Sequence, residues 1–223
     1  MISAIVPTLN AAGELGAALA ALRGSELVRE VVVVDGGSND DSMAVAQNAG
    51  ARLITGGRGR GTQLAAGAAA ASHNWLLFLH ADCRLEEGWA AAVRCFVAAP
   101  DAVATAGYFR FALDDPRPAA RRLERIVAWR CRTLALPYGD QGLLISRELY
   151  DAVGGFAAIP LMEDVDIVRR LGRPRLRPIA ARIVSSARRY RDGGYVRRPL
   201  RNLVCLSLYF AGVPPPRIAR FYG

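Results

Sequence analysis

Two apolar runs in this chain end abruptly in acid. Val31-Val32-Val33-Val34 leads into Asp35, followed by Gly36-Gly37-Ser38-Asn39-Asp40, and Trp75-Leu76-Leu77-Phe78-Leu79 leads into His80-Ala81-Asp82. Short, β-branched runs of this kind read as strands buried on both faces, as in a parallel sheet. Ligands of open α/β sheets bind beyond the carboxyl ends of such strands. Asp35, Asp40 and Asp82 are therefore expected along one crevice. Carboxylates there suit contacts to ribose or base hydroxyls, and a hard divalent cation that holds phosphates. Each also has a plainer reading. Asp35 and Asp40 sit in a sequence rich in turn formers, Asp82 follows a strand where an N-cap aspartate is common, and His80 is either a metal ligand or a hydrogen-bonded structural histidine.

Two further groups carry chemistry. Glu163-Asp164 opens an apparent helix, residues 164–171. Acid at that end complements the helix dipole, with Asp166 and Arg170 as an exposed i,i+4 pair, but a carboxylate there is also a candidate general base. The loop Gly56-Gly57-Arg58-Gly59-Arg60-Gly61 lacks the Lys-Ser/Thr ending of a P-loop. Its Arg58 and Arg60 suit phosphate or base edges, or belong to a solvated surface loop.

The elements that position these residues follow from periodicity and punctuation. Strands are expected at residues 2–7, 30–35, 51–54 and 75–79, alternating with helices at 14–23, 41–49, from the end of the 56–61 loop to about 72, and 86–98, which argues for βαβ units and a mostly parallel sheet. The second half is less regular. A loosely alternating strand is expected at 104–113, an amphipathic helix at 117–134, a turn at Gly139-Asp140-Gln141-Gly142 and a break at Gly154-Gly155. Arg182, Arg188, Arg189, Arg191, Arg197, Arg198 and Arg201 form a basic stretch, followed at 200–213 by an apolar run too short to cross a bilayer. That run is expected to be a core helix or an interfacial one dipping into anionic lipid.

The 223 residues fit one α/β domain. Hydrophobic content of 52 % and charged content of 22 % indicate a globular chain. Every basic residue apart from the two histidines is arginine, and the net charge of +9 allows an anionic partner: nucleotide phosphates, lipid or nucleic acid. Cys83, Cys95, Cys131 and Cys205 are widely spaced, which points to a reducing, cytoplasmic compartment rather than a disulfide framework or zinc site. Met1 runs straight into an apparent first strand, so no signal peptide is expected.

Four ordered motifs, Ile5-Val6-Pro7-Thr8-Leu9-Asn10, Val34-Asp35-Gly36-Gly37-Ser38-Asn39-Asp40, His80-Ala81-Asp82 and Met162-Glu163-Asp164, resemble those of family-2 glycosyltransferases. The resemblance covers nearly the whole chain. It implies a GT-A-like nucleotide-diphospho-sugar transferase fold, with a mostly parallel central sheet flanked by helices, as a single domain over 1–223. Residues 1–100 would form the nucleotide-binding half, and 101–223 the acceptor-side half with C-terminal helices. It further implies inverting transfer from a nucleotide-diphosphate sugar with Mg2+ or Mn2+. Pro7, Thr8, Asn10, Asp35, Asp40, Arg58 and Arg60 would meet the nucleotide, Asp82 and His80 the metal. Asp164 would be the catalytic base, with Asp140, Gln141, Glu163, Arg188 and Arg189 on the acceptor and phosphate side. Arg58-Gly59-Arg60-Gly61-Thr62-Gln63 and Tyr138-Gly139-Asp140-Gln141-Gly142 are similar to the bacterial radical-SAM/selenodomain-associated, or arsenosugar-biosynthesis, subgroup.

This chain departs from many relatives in having Gly36 where they carry a second aspartate, and His80 where they carry the first aspartate of Asp-x-Asp. Two other functions remain open from sequence. A nucleotidyltransferase making an activated sugar would carry its basic glycine loop directly after strand one, where this chain has Thr8-Leu9-Asn10-Ala11-Ala12. A basic membrane- or nucleic-acid-binding module would not need the acidic motifs, and no nucleic-acid motif is visible. The partners expected are a nucleotide-sugar donor, an acceptor of unknown identity and a peripheral membrane contact at the inner face.

Overall fold

In the computed structural model, which describes residues 1–222, the first half alternates as the sequence predicts. Its elements are β1 (Ile2–Thr8), α1 (Ala12–Arg23), β2 (Val28–Asp35), α2 (Ser42–Asn48), β3 (Arg52–Thr55), α3 (Arg60–Ala70) and β4 (Trp75–Phe78). The remainder comprises β5 (Cys83–Leu85), α4 (Trp89–Val97), β6 (Ala106–Leu113), α5 (Pro118–Leu134), β7 (Leu143–Ser146), α6 (Arg147–Ala152), α7 (Glu163–Leu171), β8 (Leu176–Ser185), α8 (Arg188–Gly193), α9 (Arg197–Phe210) and α10 (Pro215–Tyr222).

All eight strands form one sheet in the order β3-β2-β1-β4-β7-β6-β8-β5. Strands β3, β2, β1 and β4 pair in parallel, β7 runs antiparallel to both β4 and β6, β6 and β8 are again parallel, and β5 is antiparallel to β8. The sheet is thus parallel on one side and mixed on the other, the arrangement of a GT-A-like α/β fold. Strand β1 lies between β2 and β4, so the peptides that follow Thr8, Asp35 and Phe78 emerge together at one end of the sheet.

Helices cover both faces, which explains the unbroken apolar strands. Ile5, Val32, Val34, Leu76 and Phe78 face one core with α3, α5 and α7, while Ala4, Val6, Val33 and Leu77 face another with α1 and α4. Helix α3 lies close on the sheet because of Gly67, where a Cβ would stand 2.3 Å from Ile5 Cγ2 and 2.9 Å from Val34 Cγ2.

Strands β5 and β8 are not anticipated from sequence. The first is only three residues long, and the second carries Arg177, Pro178 and Arg182 within the arginine-rich stretch. Part of the basic stretch read as one run is therefore strand. The Asp166–Arg170 pair is also less exposed than expected: Arg170 is half-buried and donates to the Val153 and Gly155 carbonyls as well as to Asp166.

One side-chain cluster fixes the helices that follow β8. The Asp115 carboxylate accepts from Arg117 Nε and Nη2 and from the Tyr195 hydroxyl at 2.6 Å. Tyr195 lies between α8 and α9, so this cluster ties that junction to the loop after β6. Arg117 first, then Tyr195, holds the Asp115 carboxyl well below the usual carboxylate range.

Candidate active site

The ends of β1 and β2 are stitched by an amide. Gln63 is buried on α3, and its Nε2 donates to the carbonyls of Thr8 (2.9 Å) and Val34 (2.8 Å). A Cβ at Gly36 would lie 3.0 Å from that nitrogen. The absent second aspartate and the presence of Gln63 therefore belong to one local solution. Sequence reading noted Gln63 only within a motif and missed this role.

Beyond these strand ends lies a crevice of about 550 Å³ whose lining includes Pro7, Thr8, Asn10, Arg60, His80 and Asp82. Arg188 and Arg189 close it from α8. A second cavity, about 130 Å³, is lined by Tyr138, Asp140, Glu163 and Asp164 and roofed by residues of α8 to α10. Arg60, His80, Asp82 and Arg189 line both, so the two spaces meet at these side chains.

Four expected site residues line neither cavity. The Asp35 carboxylate is buried and accepts from the Gly37 and Ser38 amides and the Ser38 hydroxyl, so it organises the turn and does not line the crevice. Asp40 accepts from the Ala12 amide and from the Ser42 amide and hydroxyl, joining the starts of α1 and α2. Gln141 is buried with its amide satisfied: Oε1 accepts from Arg130 and Cys131, and Nε2 donates to the Phe109 carbonyl. Arg58 is exposed and lines neither cavity.

At the junction, Asp82 lies 3.9 Å from Arg189. Burial works to raise its pKa, and the positive charge of Arg189 and Arg60 helps to outweigh it, so the carboxyl is held below its ordinary value. Burial, then the charge of Arg60, pushes the His80 imidazole down to about 3. It is thus neutral at physiological pH. Potential ligand atoms of His80, Asp82 and Cys83 lie within 4.8 Å of one another. Cys83 is buried against Ser185 Oγ at 3.0 Å, and burial first, then Asp82, raises its thiol well above the ordinary value. The carboxylate fits a hard divalent ion that draws its remaining ligands from phosphate and water; the neutral imidazole beside it suits Mn2+ better than Mg2+, and the protonated thiol adds nothing for Mg2+.

Asp164 lies in the first turn of α7 and is fixed by a partner distant in sequence. Its Oδ2 accepts from the Gly139 amide at 2.8 Å, and its Oδ1 from the Val165 amide. Gly139 is required at this approach, because a Cβ there would stand 2.6 Å from His80 Nε2. Glu163 is buried, with Oε1 3.3 Å from Arg60 Nη1, and its Oε2 has no partner among the described residues. Burial first, then the Asp164 charge, raises Glu163 to about 7. Burial likewise raises Asp140 to about 6, with Arg130 opposing and Asp164 adding to the rise.

The family model described as Glycosyl transferase family 2 matches residues 3–161, more than two thirds of the chain. The chain belongs to glycosyl transferase family 2. As a family-2 enzyme it is a glycosyltransferase, which selects sugar transfer over the nucleotidyl-transfer and binding-module readings. A search of curated proteins returns no significant match. Solved structures agree on the fold. Glucosyl-3-phosphoglycerate synthase from Mycobacterium tuberculosis, crystallised with Mn2+, UDP and glucosyl-3-phosphoglycerate, superposes with a TM-score of 0.61 at 21 % identity, over 96 % of this chain and 81 % of that one. Mannosyl-3-phosphoglycerate synthase from Rubrobacter xylanophilus gives 0.62 at 18 % identity, over 96 % and 75 %. TarS from S. aureus gives 0.64 at 15 % identity, over 93 % of this chain and 39 % of that one.

Proposed function

We propose that this glycosyltransferase moves a sugar, with inversion, from a nucleotide diphosphate to an acceptor hydroxyl. The observation that carries the reading is the meeting of the two cavities at Asp82, His80, Arg60 and Arg189, with Asp164 opening into the smaller one. The larger crevice is the donor site: Pro7, Thr8 and Asn10 border the nucleoside, and Arg60, Arg188 and Arg189 face the phosphates. The smaller cavity takes the acceptor. This divides the domain into a nucleotide-binding half, residues 1–100, and an acceptor-side half, 101–223. Asp35 and Asp40 serve the nucleotide indirectly, by shaping the turn beside Asn10.

Asp82 and His80 would hold Mg2+ or Mn2+, as the M. tuberculosis enzyme was crystallised with either ion and UDP. That ion supplies positive charge for the diphosphate leaving group. Asp164 accepts the proton of the acceptor hydroxyl as that oxygen bonds to the anomeric carbon. The bond from that carbon to the diphosphate breaks on the opposite side, and its electron pair leaves with the nucleotide. Arg60 and Arg189 face the developing negative charge. The Gly139 amide orients Asp164 without supplying a proton acceptor of its own.

Finer assignments accompany this reading. The Arg58–Gln63 and Tyr138–Gly142 motifs support the radical-SAM/selenodomain-associated subgroup. Cytoplasmic residence supplies nucleotide sugars, and peripheral contact with the inner membrane face is favoured by the exposed apolar side of α9.

A direct test is calorimetric titration of UDP with Mn2+ into the parent and into Asp82→Asn. The parent is expected to bind only with the metal present, and the variant to lose that metal-dependent binding while keeping its melting temperature. Equal affinity in both would remove Asp82 from the donor site. Release of sugar from a panel of nucleotide sugars then identifies the donor.

A further inference from the structure

The helix that roofs the smaller cavity shows two unlike faces. Arg198, Asn202 and Leu206 of α9 line the cavity, and Cys205 and Leu206 are buried. On its other side Val196, Leu200, Leu203 and Phe210 recur at helical spacing and are 78 %, 58 %, 56 % and 50 % exposed. Val204 at their margin is also exposed. Next along the chain, α10 packs on α9, burying Ile218 and leaving Phe221 58 % exposed. The apolar run after the basic stretch is therefore not a core helix. It offers an apolar face, with Ser207 set among its side chains, to its surroundings.

Along α9 and α10 themselves the charge has one sign, and Asp166 of α7, which meets the Tyr209 hydroxyl of α9, is paired with Arg170. No aspartate or glutamate follows Asp192, while Arg197, Arg198, Arg201, Arg217 and Arg220 do. Arg198 and Arg201 are turned inward over the Tyr190 and Tyr222 rings, whereas Arg197, Arg217 and Arg220 are exposed. Among the described residues none of these five arginines is paired with a carboxylate. A second copy of the chain would bring arginine against arginine, so self-association through this face is disfavoured. Spanning a bilayer is excluded by length: 14 residues of helix cover about 21 Å against a hydrocarbon core of about 30 Å.

We infer that α9 and α10 form a docking surface for an anionic lipid bilayer. The helix would lie in the plane of the membrane, Leu200, Leu203 and Phe210 entering the boundary between headgroups and acyl chains, with Arg197, Arg217 and Arg220 among lipid phosphates. Aliphatic and aromatic side chains on one face, with arginine and no acid on the same helices, are what an interfacial helix needs. The same helix then faces lipid on one side and the cavity on the other. This deepens the peripheral contact of the preceding reading, and its test needs neither donor nor acceptor, so its failure would leave the transfer chemistry standing.

The test is co-sedimentation with extruded vesicles of phosphatidylcholine mixed with phosphatidylglycerol, and of phosphatidylcholine alone. The parent is expected to partition at least about tenfold more strongly onto the anionic vesicles, and to be released as salt shortens the Debye length from about 10 Å to about 3 Å. Leu203→Ser with Phe210→Ser should abolish binding, and Arg197→Gln with Arg217→Gln and Arg220→Gln should remove the preference for phosphatidylglycerol. Both variants change exposed side chains, and unaltered circular dichroism melting will establish that they fold. Absence of the parent from the anionic vesicle pellet would overturn the inference, as would undiminished binding by the Leu203/Phe210 variant. A dimer in sedimentation equilibrium that this variant dissociates, with no vesicle binding by the parent, would assign the face to a second copy instead.

Discussion

In the proposed transfer Asp164 is the proton acceptor, and its hydrogen bonds define a clean test. Its Oδ2 accepts from the Gly139 amide, and an asparagine oxygen can accept that same bond. Asp164→Asn should therefore keep the local geometry and UDP affinity while losing the proton acceptor. Turnover with saturating acceptor is expected to fall about 100-fold or more, and an unchanged rate would dismiss the base assignment. Its neighbour offers a different measurement. Glu163 is raised from an ordinary 4.5 to about 7, chiefly by burial. A raised carboxyl contributes stability that is fully present below 4.5 and lost as pH rises through about 7. Thermal melts of the parent and of Glu163→Gln across that window should diverge, the parent losing on the order of 1–3 kcal/mol relative to the variant. A difference independent of pH would mean that Glu163 titrates as an ordinary glutamate.

At the scale of elements, α3 determines how the crevice is built. Its first turn carries both Arg60 and Gln63, and Gly67 lets the whole helix settle on β1 and β2. A methyl group at 67 has no free space, since Ile5 and Val34 belong to the closely packed sheet core. Gly67→Ala is expected to cost about 1–3 kcal/mol by overpacking, read as a lower denaturation midpoint. Because the helix would have to lift, Gln63 would also be drawn from the Thr8 and Val34 carbonyls, and donor affinity should weaken along with stability. Stability at or above that of the parent would show that α3 is free to shift and does not set the strand ends. Positive backbone angles play a lesser part here: Asn10 (φ 49°) turns the chain after β1 so that its Oδ1 accepts from the Asn39 amide.

For the molecule as a whole, the net charge of +9 and the arginines at the mouth of the crevice would act together on the anionic donor proposed above. Electrostatic steering raises association rates and is screened by salt. Stopped-flow association of a fluorescent nucleotide diphosphate should slow roughly tenfold between low and physiological ionic strength, with dissociation changing far less. If both rates move equally, steering is not at work and the charge serves contacts made only in the complex. The surface that carries α9 and α10 contributes to the same positive field from outside the crevice.

Much of the first half of the chain was legible from the residues alone. Apolar runs of four or five residues, broken by Asp-Gly-Gly or His-Ala-Asp, specify buried strands with acid at their ends, because side-chain period and turn chemistry are local properties. The ordered motifs likewise sufficed for the family. What the tertiary structure decided was the fate of each polar group. Asp35 and Asp82 follow similar strands, yet one is satisfied by the amides of its own turn and the other faces the crevice. Gln141 stands beside Asp140, yet only Asp140 lines the cavity. Asp164 depends on an amide 25 residues away, and Arg60 meets Glu163 across 103 residues. The run at 200–213 was ambiguous for the same reason. Helical spacing locates an apolar face, but only the packing of α9 over the cavity shows that this face is left outside. Period and composition are written along the chain, whereas desolvation and hydrogen-bond satisfaction depend on which distant segments arrive beside it.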